Sequence, residues 1–372
     1  MTALIQAHSS SPSATPVAGL PPVLSKAASQ RGLRIGLSGF GRDSGGRPTG
    51  DTHAILRIAQ RAESLGFESI WFNELRFDHD VHFPAPLLLA AAVFARTERL
   101  RVGTSVMVLP LHHPLDLAEQ LAQLDWQSGG RLSVGIGRGS ASPHAYGALG
   151  VDPTTTRERF EACYDALIDA WTSPSASSQT PFWAYENVTL GVRPVQQPHP
   201  PIYVAGYTTE TIEFAVQHDL PLLLSLEPPD SRQLGPWREI TRAHGCTQNL
   251  WPSSATRYVC IGETPAAAQR ALDDLIPRLY QRRLEFAARR GTPLDQIVAR
   301  PQEQFLAEQA IAGDPHACIR QLEALARDPG VGHVRAVFNG NGVLDDETAL
   351  RGMEIFAREV LPACRTLERT AP

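Results

Sequence analysis

Residues 100–137 read LRVGTSVMVLPLHHPLDLAEQLAQLDWQSGGRLSVGIG, and their pattern is that of a strand, a helix and a second strand. Short apolar runs at 100–109 and 131–137 flank a longer amphipathic run at 114–127. Two parallel strands joined through a helix are the building unit of α/β folds. This stretch therefore predicts one complete βα unit followed by the strand of the next unit.

The same alternation extends in both directions along the chain. It predicts strands at 34–40, 69–73, 100–109, 131–137, 201–205, 221–226, 256–262 and 333–339. It predicts helices at 52–65, 85–96, 114–127, 156–171, 209–218, 231–244, 265–290 and 346–361. Eight strand–helix pairs favour an α/β fold of the (β/α)8 TIM-like barrel type with insertions. An open, doubly wound sheet with two lobes is the structural alternative.

The domain organisation follows from the segments outside this alternation. Residues 1–31 are rich in Ser, Ala and Pro and lack a basic stretch before an apolar run, which predicts a disordered N-terminal tail rather than a secretory signal. Residues 32–372 then form a single barrel domain. The segments 172–199 and 291–314 are longer than ordinary connections in such a fold, and we expect insertions or lids there.

Composition and charge exclude several classes of protein. The chain has 372 residues, 20% of them charged, and a net charge of −5, so no basic excess favours nucleic acid or an anionic membrane surface as a partner. The longest apolar run, 86–94, is far shorter than the roughly 20 residues that span a bilayer. The 5 cysteines are scattered without a CxxC pair, which indicates reduced thiols in a cytoplasmic protein.

A glycine-rich run, Gly135-Ile-Gly-Arg-Gly-Ser140, follows the predicted fourth strand. It lacks the last glycine of the dinucleotide fingerprint, so an NAD site is not favoured. At the C-terminal end of a barrel strand, its glycines would let a flat ligand approach the backbone, and Arg138 would supply a cation for a phosphate. A tight turn with a solvated arginine is the alternative interpretation.

A second candidate site lies where the predicted fifth strand passes into a helix. Gly206, Tyr207, Thr208 and Thr209 form this junction. Backbone N–H groups and threonine hydroxyls at a helix N-terminus can hold a phosphate. Helix capping by Thr208 or Thr209 is the competing interpretation, and the two are compatible.

Candidate acid–base residues follow the predicted second and third strands. The histidines of Asp78-His-Asp-Val-His82 and His113 lie in such loops, where a barrel places catalytic groups. A metal site is not predicted, because no second cluster with fixed spacing accompanies them. Glu74 can face the barrel mouth and hold a cofactor edge or Arg76, or form a structural ion pair. Motifs of serine hydrolases, P-loop enzymes and zinc proteases are absent from the sequence.

A long block of the sequence resembles the bacterial luciferase-like monooxygenases. The block comprises LRVGTSVMVLP at 100–110, the later pairs His113-Pro114, Ala118-Glu119 and Leu124-Asp125, and the runs SGGRL at 128–132 and GIGRG at 135–139. Agreement continues with PHPPI at 198–202, Leu220-Pro221 and FAREVLP at 356–362. The resemblance covers residues 34–361 and implies a TIM-like barrel.

What the resemblance implies is a reduced flavin, either FMN or in one branch coenzyme F420, bound at the C-terminal ends of the strands. Arg138 then occupies the position of the family's phosphate-binding arginine, and residues 206–209 that of a second phosphate-holding segment. The Ser105–Val106 bond occupies the position of a non-prolyl cis peptide beside the flavin ring. Gly137 replaces the reactive cysteine of luciferases.

The chain also departs from the luciferases. Their Glu-His-His-Phe sequence is Glu74-Leu-Arg-Phe77 here, so Leu75 occupies the position of the family's catalytic histidine. Light emission from an aliphatic aldehyde is therefore not expected. The remaining candidates for the acid–base group are Arg76, His79 and His113.

The resemblance predicts a homodimeric flavin-dependent monooxygenase that receives reduced FMN from a separate reductase. Oxygen would react at the flavin C4a carbon to give a peroxyflavin, which oxygenates a small organic substrate that the sequence does not specify. The alternatives are an F420-dependent oxidoreductase that transfers hydride, and a non-catalytic flavin-binding protein. Residues 291–314 are expected to form a lid that excludes water.

Overall fold

A computed structural model describes residues 32–40, 52–77, 84–139, 143–245, 252–289 and 291–367. Its strands are β1 (Arg34–Leu37), β2 (Ser69–Phe72), β3 (Arg101–Thr104), β4 (Met107–Val108), β5 (Leu132–Gly137), β6 (Ala176–Gln179), β7 (Ala184–Val188), β8 (Ile202–Val204), β9 (Ser253–Ile261), β10 (Ala310–Gly313) and β11 (Val331–Val337). The predicted tail, 1–31, lies outside the described residues.

Helices connect these strands. They are α1 (Thr52–Leu65), α2 (Pro86–Phe94), α3 (Pro114–Ser128), α4 (Pro143–Ala148), α5 (Thr156–Thr172), α6 (Thr209–Gln217), α7 (Asp230–Ala243), α8 (Pro265–Arg289), α9 (Gln302–Glu308), α10 (Pro315–Ala326), α11 (Asp346–Glu359) and α12 (Leu361–Thr366). Their boundaries carry sequence signals: Pro114 opens α3, and Gly129 ends it in the left-handed conformation, with φ of 65°. The Asp345 side chain accepts a hydrogen bond from the Thr348 N–H and so caps α11.

Eight parallel strand positions form a barrel, which isolated bridges close between β8 and β9. The order β9-β11-β1-β2-β3-β5 is continuous, and β8 pairs with β5. Residues 221–224 complete the circuit between β8 and β9: the Leu223 N–H donates to the Val204 carbonyl at 2.8 Å, and the Leu224 N–H donates to the Ser254 carbonyl at 2.9 Å. These eight strand positions confirm the predicted (β/α)8 barrel.

The barrel interior is filled by large side chains that pack against glycines. A Cβ atom on Gly103 would lie 2.3 Å from the ring of Trp71, so only glycine fits beside this indole. The Trp71 ring meets Tyr203 edge-on at 5.4 Å and lies 5.7 Å from His333. Arg335 is also buried here, with its guanidinium carbon 5.7 Å from the Trp71 ring centre. Bulky and small residues thus alternate as the taper of a small barrel requires.

The structure differs from the predicted elements in several places, and it contains the unpredicted helices α4, α10 and α12. The predicted strand 100–109 is interrupted after Thr104 by a cis peptide bond between Ser105 and Val106, and β4 follows it. The predicted strand at 221–226 forms only isolated bridges, at Leu222 and Leu223. The segment 172–199 contains the antiparallel hairpin β6–β7. The segment 291–314 contains α9 and β10, and β10 extends the sheet beyond the barrel by pairing with β9.

Other predictions concern cysteines, metal ions and membranes. The described cysteines, Cys163, Cys260, Cys318 and Cys364, are buried free thiols. In the described part of the chain, His, Cys, Asp and Glu side chains do not gather into groups of three that could hold a metal ion. No described helix is both long enough and apolar enough to cross a membrane.

Candidate active site

The candidate site lies at the barrel mouth. We define the mouth as the residues that directly follow the barrel strands, namely 38–40, 73–76, 105–106, 138–139, 205–208, 225–227, 262 and 338–341. Glu74 is its most highly connected side chain, and only 5% of the residue is exposed. The Val108 N–H donates to Glu74 Oε2 at 2.7 Å, and Arg76 Nε donates to Oε1 at 2.7 Å. His112 Nε2 lies 2.9 Å from Oε1 and 3.0 Å from Oε2. One carboxylate therefore joins the ends of β2 and β4.

The charge state of Glu74 follows from these contacts. Burial by itself would raise the pKa of the carboxyl, but the hydrogen bond and charge of His112, the Val108 N–H and the Arg76 charge outweigh it, so the pKa lies below its ordinary value. Glu74 is therefore an ionised carboxylate at neutral pH. Both interpretations made from the sequence are compatible with this geometry, since Glu74 pairs with Arg76 and also stands at the mouth.

The structure separates the three predicted acid–base candidates. Arg76 is held by Glu74, with 32% of its side chain exposed. His113 is exposed and lies immediately before α3, where its ring centre is 6.3 Å from Trp183 and 6.2 Å from Tyr185 of the β6–β7 hairpin region. His79 lies outside the described residues. The structure thus brings Arg76, but not His113, to Glu74.

His112 is a site residue that sequence reasoning missed. Its side chain is 14% exposed and shares the Glu74 carboxylate with Arg76, which makes a hydrogen-bonded acid–base pair at the mouth. The signal was present in the sequence, because two adjacent histidines follow the third strand. Only the three-dimensional arrangement shows that the first of them turns toward Glu74 and the second toward the hairpin.

The cis peptide is packed between Arg335 and Gly137. Ser105 Oγ accepts a hydrogen bond of 2.6 Å from Arg335 Nη1, and the Val106 carbonyl accepts one of 3.3 Å from the Glu74 N–H. A Cβ atom on Gly137 would lie 2.9 Å from Val106 Cγ2. The absence of a side chain at Gly137 therefore keeps open the space beside Val106, as the close approach of a flat ring requires.

Arg335 provides a fixed positive charge beneath this peptide. Its Nη2 donates to the Leu224 carbonyl at 2.6 Å, and its Nε donates to Ser254 Oγ at 3.1 Å. No described carboxylate forms an ion pair with it. Burial lowers the pKa of Arg335 to about 9, which leaves the guanidinium charged at neutral pH. The sequence signal for Arg335 was the alternation of His333 and Arg335 with apolar residues in the predicted last strand.

A cationic recess lies across the mouth, at the ends of β5 and β8. The half-buried Arg138 has no hydrogen-bond acceptor for its guanidinium among the described residues. Thr208 caps α6 by accepting a hydrogen bond of 3.4 Å from the Thr211 N–H, as the capping interpretation predicted. Thr209 and Tyr207 are exposed beside it, and a Cβ atom on Gly206 would lie 2.5 Å from Thr211 Cγ2.

Arg138 and the start of α6 interact electrostatically. The pKa of Glu210, in the first turn of α6, lies below its ordinary value because of hydrogen bonds from its own N–H and from Thr208 and because of the charges of Arg157 and Arg138. An arginine without an acceptor beside a helix N-terminus is a suitable site for a phosphate. The Glu210 carboxylate is the one feature of this recess that opposes an anion. On balance the residues fit the ribityl phosphate shared by FMN and coenzyme F420.

A cavity of about 760 Å³ opens on the opposite side of the mouth. It lies between the strand ends, the C-terminal half of α8 and the segment 292–309. Its lining includes Asn73, Glu227, Tyr258, Ile276, Tyr280, Arg282, Arg283, Phe286, Ile297, Arg300, Phe305 and Asn341. The segment 291–314, which the sequence analysis expected to be a lid, thus forms one wall of a cavity.

Comparison with known proteins shows the family. The family model described as luciferase-like monooxygenase matches residues 33–333, and the chain therefore belongs to this family. A relative named 4-hydroxyprotoasukamycin monooxygenase, from Streptomyces nodosus subsp. asukaensis, is 28% identical over 82% of this chain and 85% of its own length. The oxygenase component of a flavin-dependent trigonelline monooxygenase from Acinetobacter baylyi is 33% identical, over 44% of this chain and 46% of its own length.

Solved structures share the fold. The monooxygenase RslO1 from Streptomyces bottropensis aligns with a TM-score of 0.73 at 25% identity, covering 89% of this chain and 99% of its own. The oxygenating constituent of 3,6-diketocamphane monooxygenase from Pseudomonas putida, solved with FMN, has a TM-score of 0.72 at 19% identity, with coverages of 92% and 100%. The F420-dependent tetrahydromethanopterin reductase from Methanopyrus kandleri has a TM-score of 0.66 at 17% identity, with coverages of 90% and 99%.

Proposed function

We propose that this protein is the oxygenase component of a two-component flavin-dependent monooxygenase. In the overall reaction, a substrate R–H, O₂ and reduced FMN give R–OH, oxidised FMN and water. The observation that carries the proposal is the Arg138 guanidinium, which lacks a described acceptor and faces the N-terminus of α6. The names of the relatives from Streptomyces nodosus and Acinetobacter baylyi support the oxygenase chemistry and the flavin.

The residues divide into two groups by what they would hold. Arg138, with Gly206, Tyr207, Thr208 and Thr209 at the start of α6, would bind the cofactor phosphate. Ser105, Val106 and Gly137 would lie along the flavin ring, and Glu74 would fix one edge of the site through Arg76. The bound flavin supplies the electrons that activate oxygen, whereas the protein binds, orients and excludes water.

The Glu74–His112 pair is our candidate for the proton-transfer group. A histidine that shares a buried carboxylate is held in one orientation by that contact. This pair would compensate for the replacement of the family's catalytic histidine by Leu75. Arg76, which shares the carboxylate, would orient the pair, while His79 and His113 stay as predictions from the sequence.

Hydride transfer with coenzyme F420 is the second candidate function. It is favoured by one observation, the similarity of the fold to an F420-dependent reductase. A phosphate site at Arg138 serves both cofactors, so the geometry of this recess does not distinguish them. The oxygenase is preferred because the more similar relatives are named monooxygenases.

The test compares FMN with riboflavin, which lacks the phosphate. We expect Arg138→Met to weaken FMN binding about tenfold to a hundredfold, since a charge-assisted hydrogen bond contributes about 1.5–3 kcal/mol. Riboflavin binding should not change, because the lost interaction is with the phosphate. Flavin fluorescence titration measures both affinities, and Arg351→Met, an exposed arginine on α11, is the control.

A second stage of the experiment identifies the reaction. The wild-type protein with reduced FMN, an added flavin reductase and ¹⁸O₂ should place one labelled oxygen atom in an oxidised product. Binding of F420 with no oxygen incorporation would assign the protein to hydride transfer instead. Binding of neither cofactor would contradict the proposal. We also propose a homodimer, which light scattering of the purified protein measures directly.

A further inference from the structure

The cavity beside α8 is separate from the recess that we assign to the cofactor phosphate. Arg138 and Thr208 follow β5 and β8, whereas the cavity is lined by Asn73, Tyr258 and Asn341, which belong to the β2, β9 and β11 side of the barrel. In a ring of eight strands these positions lie largely across the mouth from one another. None of the residues predicted from the sequence to bind the cofactor lines the cavity. The cavity therefore offers space for a second molecule beside the site.

The described lining of the cavity contains more arginines than carboxylates. Three arginines, Arg282, Arg283 and Arg300, line it together with a single carboxylate, Glu227. That carboxylate is already paired, because Arg300 Nη2 lies 3.1 Å from Glu227 Oε2 and Gln309 Nε2 lies 3.3 Å from Oε1. This pairing leaves no carboxylate of the described lining for Arg283.

Arg283 lies on α8, next to the segment that covers the cavity. Its Nη1 donates to the Val298 carbonyl at 3.3 Å, which anchors the side chain to the segment above the cavity without neutralising it. No described carboxylate forms an ion pair with Arg283. A guanidinium has five N–H donors, so most of its donors are still available to a ligand. A partly buried cation of this kind favours an anionic partner with a planar carboxylate.

Most of the remaining lining is apolar or aromatic, and its uncharged polar side chains are Asn73, Thr292, Gln309 and Asn341. Ile276, Leu279 and Phe286 of α8 face the cavity together with Phe305, whose ring stacks on Tyr258 at 5.6 Å. A volume of about 760 Å³ lies within the range of roughly 300–1,000 Å³ found for small-molecule sites. Such a wall suits a ring or hydrocarbon body rather than a hydrated polar ligand.

We infer that the cavity binds the substrate, and that this substrate is an organic carboxylate with an aromatic or alicyclic body. The carboxylate is held by Arg283, and the body packs against Phe286 and Ile276. This inference rests on the proposed function for the identity of the molecule as substrate. The binding of such an anion in the cavity, however, is a property of these side chains and is measurable without turnover.

The test uses 2-naphthoate and its uncharged amide, 2-naphthamide, as probes. Both are titrated by calorimetry into the full-length protein, with and without FMN. We expect the wild type to bind naphthoate at least about tenfold more tightly than naphthamide, the difference that one charge-assisted interaction of about 1.4 kcal/mol produces. Equal affinities for the two probes, tighter binding of the amide, or no binding of either probe would overturn the inference.

Variants locate the interaction. Arg283→Gln should remove the preference for naphthoate over naphthamide and leave naphthamide binding unchanged. Arg283→Lys should keep most of the preference for naphthoate. Arg270→Gln, an exposed position on α8 outside the cavity lining, should behave as the wild type. A preference that survives Arg283→Gln overturns the assignment to this cavity. If Arg283→Gln does not fold, the ratio of the wild-type affinities for naphthoate and naphthamide still tests the inference.

The FMN titration on the same samples separates this inference from the proposed function. FMN binding that depends on Arg138, together with no preference for naphthoate, would support the flavin site and overturn the carboxylate inference. A preference for naphthoate that depends on Arg283, with no flavin binding, would support an anion site and contradict the proposed function. FMN should not compete with naphthoate, because the two sites lie apart.

Discussion

Glu74 shows how one buried side chain organises the barrel mouth. Three donors converge on its carboxylate: the Val108 N–H, Arg76 Nε and His112 Nε2. Arg76 lies after β2, Val108 belongs to β4 and His112 lies after β4, so the carboxylate fixes the relative positions of these segments. A buried charge is tolerated only when its hydrogen-bonding capacity is used, and here it is used on both oxygens.

Replacement of Glu74 by Gln tests this role. We expect Glu74→Gln to lower the free energy of unfolding at neutral pH by about 3 kcal/mol, since one partner of a buried ionic cluster is removed. Because the folded-state pKa lies below the ordinary value of 4.5, the contribution of Glu74 is present above that pH and is lost as the pH falls through the folded-state pKa. The wild type should therefore lose more stability than the variant between about pH 6 and pH 3.

Urea unfolding of both proteins at several pH values measures this difference. Glu354→Gln is the control, because Glu354 is an exposed carboxylate paired with Arg61 on the surface. Parallel pH dependences for the wild type and Glu74→Gln would show that the Glu74 cluster contributes nothing specific to stability.

The segment that follows α8 forms a wall of the cavity rather than an extended loop. Ile297 lies in this wall, and its carbonyl accepts a hydrogen bond of 3.2 Å from the Tyr280 hydroxyl. Downstream, α9 packs Phe305 onto Tyr258 of β9, which ties the segment to the barrel. These two contacts hold the wall over the mouth, where it can exclude water from bound ligands.

Truncation of Ile297 to Ala tests the wall. In an enzyme that activates oxygen, water that enters the site diverts oxygen to H₂O₂, so we expect Ile297→Ala to raise the fraction of consumed O₂ released as H₂O₂ by about twofold or more. Leu294→Ala, at an exposed position outside the cavity lining, should leave this fraction unchanged. An oxygen electrode combined with a peroxidase assay gives the fraction. Equal fractions of H₂O₂ for the wild type and Ile297→Ala would contradict a role of this wall in excluding water.

Strand pairing in the barrel is short at two places: between β1 and β2, which share the single register pair Leu37–Ile70, and at the join between β8 and β9. Most neighbouring strands share several register pairs, as in the six between β9 and β11. Residues 221–224, in contrast, join β8 to β9 through isolated bridges at Leu222 and Leu223. The Ser253 hydroxyl supports this join by accepting a hydrogen bond of 3.0 Å from the Leu222 N–H.

Hydrogen exchange should reveal this join. We expect the amides of Leu222, Leu223 and Leu224 to exchange faster than those of β11, because fewer hydrogen bonds must break to open them. Exchange followed by mass spectrometry, with peptides covering 221–226 and Val331–Val337, compares the two regions. If both regions exchange at one rate, the barrel opens only as a unit and the join is no weaker than the rest.

Much of the architecture follows from local patterns along the chain. The helix at 52–65 has the bounds that its periodicity predicts, and the other predicted helices agree to within a few residues. Helix periodicity is set by side chains three or four positions apart, so it is present in the sequence itself. Strand β10 and the β6–β7 hairpin escaped prediction because such short runs lack a period long enough to detect.

The arrangement of the site depended on contacts between distant parts of the chain. Arg335 reaches Ser105 across 230 positions, and the pairing of His112 with Glu74 spans 38. The sequence contained the residue types and their order at the strand ends, together with the family resemblance, and these were enough to predict the barrel. Local periodicity carries no information about which distant side chains become neighbours. The closure of the barrel therefore decides which histidine contacts Glu74, where the buried arginine Arg335 lies and how α8 encloses a cavity.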